Sequence, residues 1–204
     1  MSTEPSQPLP PYQVIRQRLR QTAAFVWHRT QAAVEGSLHP WRRRRALDQI
    51  ARVQPRSVLM VCLGNICRSP YAATALASSL NGQKLQVTSG GFIGPDRASP
   101  THAQKAAAAL GVDLSAHRSR VVNEAILNAH ELVVVMEPSQ GRTLSRQHGV
   151  PADRILVLGD LDPEPIPSRT IPDPYGKSEA TFLECYRRIN RCIDTLRGAL
   201  SARN

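Results

Sequence analysis

The chain has no apolar run approaching the roughly eighteen residues that cross a bilayer as a helix, which argues against a membrane span. Met1 to Pro11 lacks the apolar core of a secretion signal, so a cytoplasmic protein is expected, peripheral to a membrane at most. Its four cysteines are spaced by 5, 118 and 7 residues, which matches no zinc pattern. None of the six histidines has a partner at ligand spacing, so neither a metal nor a cofactor is expected. No internal repeat is visible. Carboxylates are scarce at one end. Residues 1–56 hold ten arginines against Glu4, Glu35 and Asp48, and so carry seven units of the net charge of +10.

What is present fits one domain plus an appendage: 204 residues, 41% of them hydrophobic, enough for a sizeable core. The charge divides them into a basic N-terminal extension, residues 1–56, and a nearly balanced domain, residues 57–204. Residues 1–11 are polar and proline-rich and are expected to be disordered. From Tyr12 to about Glu35, Ile15, Leu19, Ala23, Val26 and Ala33 fall near one helical face. Gly36 and Pro40 are expected to break this helix, and a second one follows through Leu47, Ile50 and Val53. Three roles compete for residues 12–53. They could lie on an anionic membrane, with Phe25, Trp27 and Trp41 as anchors among the arginines. They could be a solvated tail that packs on the domain. Contact with nucleic acid is the weakest of the three.

From Ser57 onward strands alternate with helices. Strands are expected at Ser57–Val61, Leu85–Ser89, Leu132–Met136 and Ile155–Leu158. Helices are expected over 69–80, 101–110, 123–129, 139–148 and 179–200, the last with Phe182, Cys185, Tyr186, Ile189, Ile193 and Leu196 inward. This order defines an α/β fold, a four-stranded parallel sheet with helices on both faces. Ligands bind such sheets beyond the strands' C-terminal ends.

Cys62-Leu63-Gly64-Asn65-Ile66-Cys67-Arg68-Ser69 lies at one of those ends, and Ser69 and Pro70 read as N-cap and first residue of the following helix. A strand, a tight loop and a helix start make an anion cradle of backbone N–H groups. Here the cradle has a thiol at its start and a guanidinium at its end. Those N–H groups favour the thiolate of Cys62, the nucleophilic form, and Arg68 offers a fork for two phosphate oxygens. Gly64 and Asn65 are the residue types that best tolerate a left-handed backbone. Ser69 can donate to the sulfur or cap the helix. Later in the chain a proline-rich loop runs from Gly159 to Lys177. Ejecting an alkoxide or phenoxide from phosphate needs a proton donor. Asp173 is a candidate, but on the residues alone Asp160, Asp162 and Glu164 are equal contenders.

The stretch Cys-Leu-Gly-Asn-Ile-Cys-Arg-Ser-Pro closely resembles the active-site loop of the low-molecular-weight protein tyrosine phosphatases. The resemblance covers residues 57–204 and not the extension. It implies that Cys62 attacks phosphorus to give a phosphocysteine and that Leu63, Gly64, Asn65, Ile66, Cys67, Arg68 and Ser69 hold the phosphoryl oxygens. Asp173-Pro174-Tyr175 is similar to the family's general-acid motif, which implies Asp173 as the proton donor and Tyr175 at the cleft mouth. Members often carry a second aromatic where this chain has Gly176. Ile66 resembles the tyrosine-specific members, since phosphoarginine-specific relatives tend to have threonine there. Phe92 and Leu63 are expected as cleft walls. The family implies an oxidative Cys62–Cys67 disulfide; Cys185 and Cys192 fall on one helical face and read as core. The partner implied is a phosphotyrosyl protein, in bacterial members a tyrosine kinase for polysaccharide export. The alternatives are a protein arginine phosphatase or arsenate reductase of the same fold, or a non-catalytic phosphate-binding adaptor.

Overall fold

In a computed structural model the structure describes residues 11–80 and 84–202, and the side chains of all of these but 11–29, 31 and 32. The disorder expected at the N-terminus falls on residues 1–10, outside that range. So do the side chains of Phe25 and Trp27 and most of the apolar face expected over residues 12–35.

The sheet is built from β1 (Ser57–Cys62), β2 (Gln86–Gly91), β3 (Leu132–Val135) and β4 (Ile155–Val157), all parallel, in the order β2-β1-β3-β4. The inner strands β1 and β3 are buried along their whole length, which is why they read as continuous apolar runs. Alternate residues serve opposite faces. Val58, Met60, Cys62, Leu132 and Val134 join a core with α2 (Arg68–Ser79), α3 (Thr101–Ala108) and α6 (Glu179–Ser201). Leu59, Val61, Val133 and Val135 join a smaller one with Leu127 of α4 (Glu124–Asn128) and Leu144 of α5 (Pro138–His148). All strands point their C-termini at one edge, where Cys62 ends β1. β4 is one residue shorter than its apolar run, because Leu158 opens a 3-10 turn over Leu158–Leu161.

The extension departs from expectation. Gly36 and Pro40 do not break it: a single helix, α1, spans Pro11–Val53 with Pro40 inside. A proline in a helix interior removes one hydrogen bond and costs about 3 kcal/mol. Tertiary contacts on the domain side offset that cost. Buried His39 donates from Nε2 to the Asp162 carbonyl at 2.9 Å, and Gln49 Nε2 donates to the carbonyls of Asp153 and Ile155. Ala46 and Ile50 are part of the larger core. The helix therefore packs on the domain, as one of the three readings had it.

Truncating Ile50, 1% exposed, to alanine is expected to lower stability by about 2–4 kcal/mol in urea unfolding. A loss within error of zero would mean that α1 does not belong to the core.

Candidate active site

Asn65 organises the loop after β1. It is fully buried and left-handed, φ 50°, a conformation asparagine tolerates better than most residues. Its Nδ2 donates to Ser69 Oγ at 3.0 Å and Ser89 Oγ at 2.9 Å, and its Oδ1 accepts from Arg120 N at 3.0 Å. The Asn65 carbonyl accepts from His117 Nε2 at 2.7 Å. Gly64 is not left-handed. A Cβ there would stand 2.8 Å from Arg97 Nη2, the end of a flexible side chain that donates to the Gly64 carbonyl.

Ser69 is not the helix cap. α2 starts one residue earlier, at Arg68, after Cys67, and no side chain caps it. Of the two roles open to its hydroxyl, the contact with sulfur is the one found: Oγ lies 3.1 Å from Cys62 Sγ and 3.2 Å from the Gly90 carbonyl. Because Asn65 donates to that oxygen, the hydroxyl proton is free to point at the sulfur.

The same loop holds donors with nothing in the chain to accept from them. Among the described residues, the backbone N–H groups of Gly64, Asn65, Ile66 and Cys67 have no acceptor. Arg68 Nε is likewise buried without a partner. Both terminal nitrogens of the Arg68 guanidinium, 1% exposed, are engaged: Nη1 with Glu137 Oε1 (2.6 Å) and the Ile171 carbonyl (2.9 Å), Nη2 with Asp173 Oδ2 (2.6 Å). Burial alone would lower its pKa, but the neighbouring Cys62, Asp173 and Glu137 hold it above the ordinary arginine value. Cys67 differs from Cys62 in its surroundings. Burial, reinforced by Asp173 and Cys62, pushes its thiol well up and keeps it neutral.

The structure brings Asp173 to this loop and leaves its rivals elsewhere. Asp160 pairs with Arg169, Asp162 with Arg188 and Arg191, and Glu164 with Arg191. Asp173, its side chain 39% exposed, lines a cleft of about 170 Å³ with Cys62, Gly64, Ile66 and Cys67. Leu63, Ile93, Arg97 and Tyr175 complete the lining. Phe92 is a correction: it packs against the smaller core, and its neighbour Ile93, half exposed, takes the cleft wall. A one-residue error turns a side chain to the other side, and the Gly90-Gly91 approach gave no signal of phase. Glu137 and His117 also escaped the sequence. Glu137 stands two residues past the end of β3, at the edge where ligands bind, and that position is a signal that could have found it. Cys185 and Cys192 are core residues whose thiols burial pushes up to about 12.

A buried thiol, a guanidinium and a ring of free amides at the C-terminal edge of a parallel sheet define an anion-binding loop equipped with a nucleophile. Comparison with known proteins agrees. The profile of the low molecular weight phosphotyrosine protein phosphatases matches residues 57–204, and the chain belongs to that family. A probable low molecular weight protein-tyrosine-phosphatase, EpsP of Ralstonia nicotianae, is 30% identical over 139 residues, 68% of this chain and 92% of its own. The crystal structure of the tyrosine phosphatase Wzb from Escherichia coli K30 in complex with sulphate is 27% identical, with a TM-score of 0.65 over 71% of this chain and 97% of that one. The YwlE arginine phosphatase of Geobacillus stearothermophilus, 23% identical with a TM-score of 0.64 over 71% and 92%, shares the fold.

Burial, opposed by its bond to Asn65 and aided by Arg120 and Arg118, holds His117 below the ordinary histidine pKa. Such a group contributes stability that is present above its unfolded value, about 6.5, and lost as pH falls toward the folded value. Between about pH 7.5 and about pH 5.5 the wild type is therefore expected to lose stability more steeply than His117→Gln, whose amide can still donate. Equal slopes in urea unfolding would remove His117 as the source.

Proposed function

We propose that the protein is a cysteine-dependent phosphatase that hydrolyses phosphotyrosine in proteins, with residues 57–204 as its catalytic domain. The observation that carries this is the set of unused donors, four backbone N–H groups and Arg68 Nε, in the loop that begins at Cys62. A phosphoryl group accepts from all of them at once.

A phosphate monoester monoanion seated on Arg68 Nε and Nη2 displaces the Asp173 carboxylate from Nη2, and the freed carboxylate, now beside the ester oxygen, takes up the proton that the monoanion brings. The Cys62 thiolate attacks phosphorus, forming S–P as the P–O bond to tyrosine breaks, and Asp173 gives the departing oxygen its proton. Asp173, now ionised, takes a proton from water as that water attacks phosphorus. The S–P bond breaks, and phosphate and thiolate are regenerated. The amides and Arg68 hold the equatorial oxygens as charge spreads over them. Ile66 gives the cleft an apolar wall suited to a phenol rather than to a phosphoguanidinium. A thiol that must stay reduced suits the cytoplasm.

Cys62→Ser is expected to abolish turnover of an aryl phosphate, and Asp173→Asn to slow it by about 10²–10⁴-fold. Mass spectrometry should find phosphate on Cys62 during turnover. Full activity in Cys62→Ser sinks the reading. Phosphotyrosyl peptides should be hydrolysed faster than phosphoarginyl ones, and the reverse would give the arginine phosphatase reading the site.

A second reading concerns the extension. Val34, Leu38 and Trp41, at helical spacing on α1, are exposed, and the exposed Arg44 and Arg45 follow them. This combination suits an anionic lipid surface. Each arginine near such a surface contributes about 1 kcal/mol, so replacing Arg44 and Arg45 by glutamine is expected to weaken binding to phosphatidylserine vesicles roughly thirtyfold. Unchanged binding would retire the idea.

A further inference from the structure

The loop that delivers Asp173 is anchored in the core at Leu161 and Ile171, and Ile166 is buried between them. Beside it lies a groove of about 500 Å³ lined by Ile166, Pro167, Pro172, Pro174 and Cys185. Polar contacts tie together the stretch between the two anchors, and most converge on one side chain. Arg188 of α6 uses every nitrogen of its guanidinium. Nε donates to Asp162 Oδ2 at 3.0 Å, Nη1 to the Thr170 carbonyl at 2.9 Å and Nη2 to the Ser168 carbonyl at 2.6 Å. The outgoing and returning limbs of the loop are thereby joined. They also touch directly, since a Cβ on Gly159 would lie 2.0 Å from the Arg169 carbonyl oxygen. Ile171 follows, pinned by its N–H to the Met136 carbonyl and by its own carbonyl to Arg68. Pro172 and Asp173 come next.

The anchor of this staple is Asp162, whose carboxylate is fully buried. It also accepts from Arg191 Nε and Nη2, both at 3.1 Å, and from Glu164 N at 3.3 Å. Its carbonyl accepts from His39. His39 lies in the extension, outside the part of the chain that the family profile matches.

We propose that Arg188, Asp162 and His39 are positioning residues for the proton-donating step. A buried relay runs from the extension helix through Asp162 and Arg188 to the Ser168 and Thr170 carbonyls, and it sets where the Asp173 carboxylate stands. The proposal rests on the reading of Asp173 as general acid. Its consequence is selective. Cys62 and its amides belong to another element, so loosening the relay impairs protonation of the leaving group while attack on phosphorus goes on. A displacement of about 1 Å suffices to cost a large factor in a positioned transfer.

The test uses full-length protein and two esters: phenyl phosphate, whose leaving group needs a proton, and 2,4-dinitrophenyl phosphate, whose leaving group departs without one. Arg188→Met is expected to lower kcat on phenyl phosphate by roughly a hundredfold while dinitrophenyl phosphate changes by less than about threefold, the pattern of Asp173→Asn. His39→Ala should show the same selectivity at roughly threefold, the effect of one neutral hydrogen bond, with partial rescue in His39→Gln. Arg188→Lys keeps the charge facing Asp162 but loses the fork, and is the variant to read if Arg188→Met does not fold. Equal losses on both esters, or no loss on either, overturn the proposal. Wild type that forms no phosphocysteine from either ester would instead overturn the phosphatase reading beneath it.

Discussion

The guanidinium of Arg68 is the point at which fold and chemistry meet. Removing a cation from water costs several kcal/mol unless its donors find partners. The partners come from separate places: Glu137 beyond β3, and the Ile171 carbonyl and the Asp173 carboxylate on the loop before α6. Satisfying one buried charge thus draws together the ends of β1, β3 and the long loop. The same arrangement leaves Nε buried without a partner. Tyr186, stacked on Tyr71 with ring centroids 3.8 Å apart, donates to the Cys67 carbonyl and ties α6 to the same loop. α6 therefore supports both halves of the site, the cradle through Tyr186 and the acid loop through Arg188.

What could be read from the sequence was what depends on neighbours along the chain. Short apolar runs gave all four strands, and the alternation with helices gave the parallel sheet and its covered faces. The cradle was legible because a strand, a glycine–asparagine turn and a helix start are local events. The corrections share the opposite property. Pro40 stays within a helix because Ala46, Ile50 and His39 are held by distant partners. Ser69 forgoes the capping role that its position suggests because Asn65 and Cys62 claim its hydroxyl from across the loop. Ile93 rather than Phe92 faces the cleft, a choice of phase that no periodicity in so short a stretch could fix. Asp173 was separated from Asp160 and Asp162 by resemblance, and what the structure adds is position: Asp173 lines the cleft with Cys62, and the other two carboxylates do not.

From His39 to Ile50, among its described side chains, the extension is an integral layer of the domain. Its buried residues complete the core beside α6, while Val34, Leu38 and Trp41 remain on the outside of the same helix. One side is spent on the domain, and the other is available to a surface. Whatever engages the outer side pulls on a helix whose inner side touches the foot of the acid loop through His39 and Asp162.

The ion pair between Arg68 and Asp173 has an economic meaning for turnover. A site that grips inorganic phosphate as strongly as its ester would be clogged by its own product. In the proposed mechanism the tethered Asp173 carboxylate competes with phosphate for Arg68 Nη2 and reclaims it when the oxyanion lets go. On that mechanism the protein carries its own displacing ion, tethered at a high effective concentration, and release of the spent anion follows from the Arg68–Asp173 ion pair.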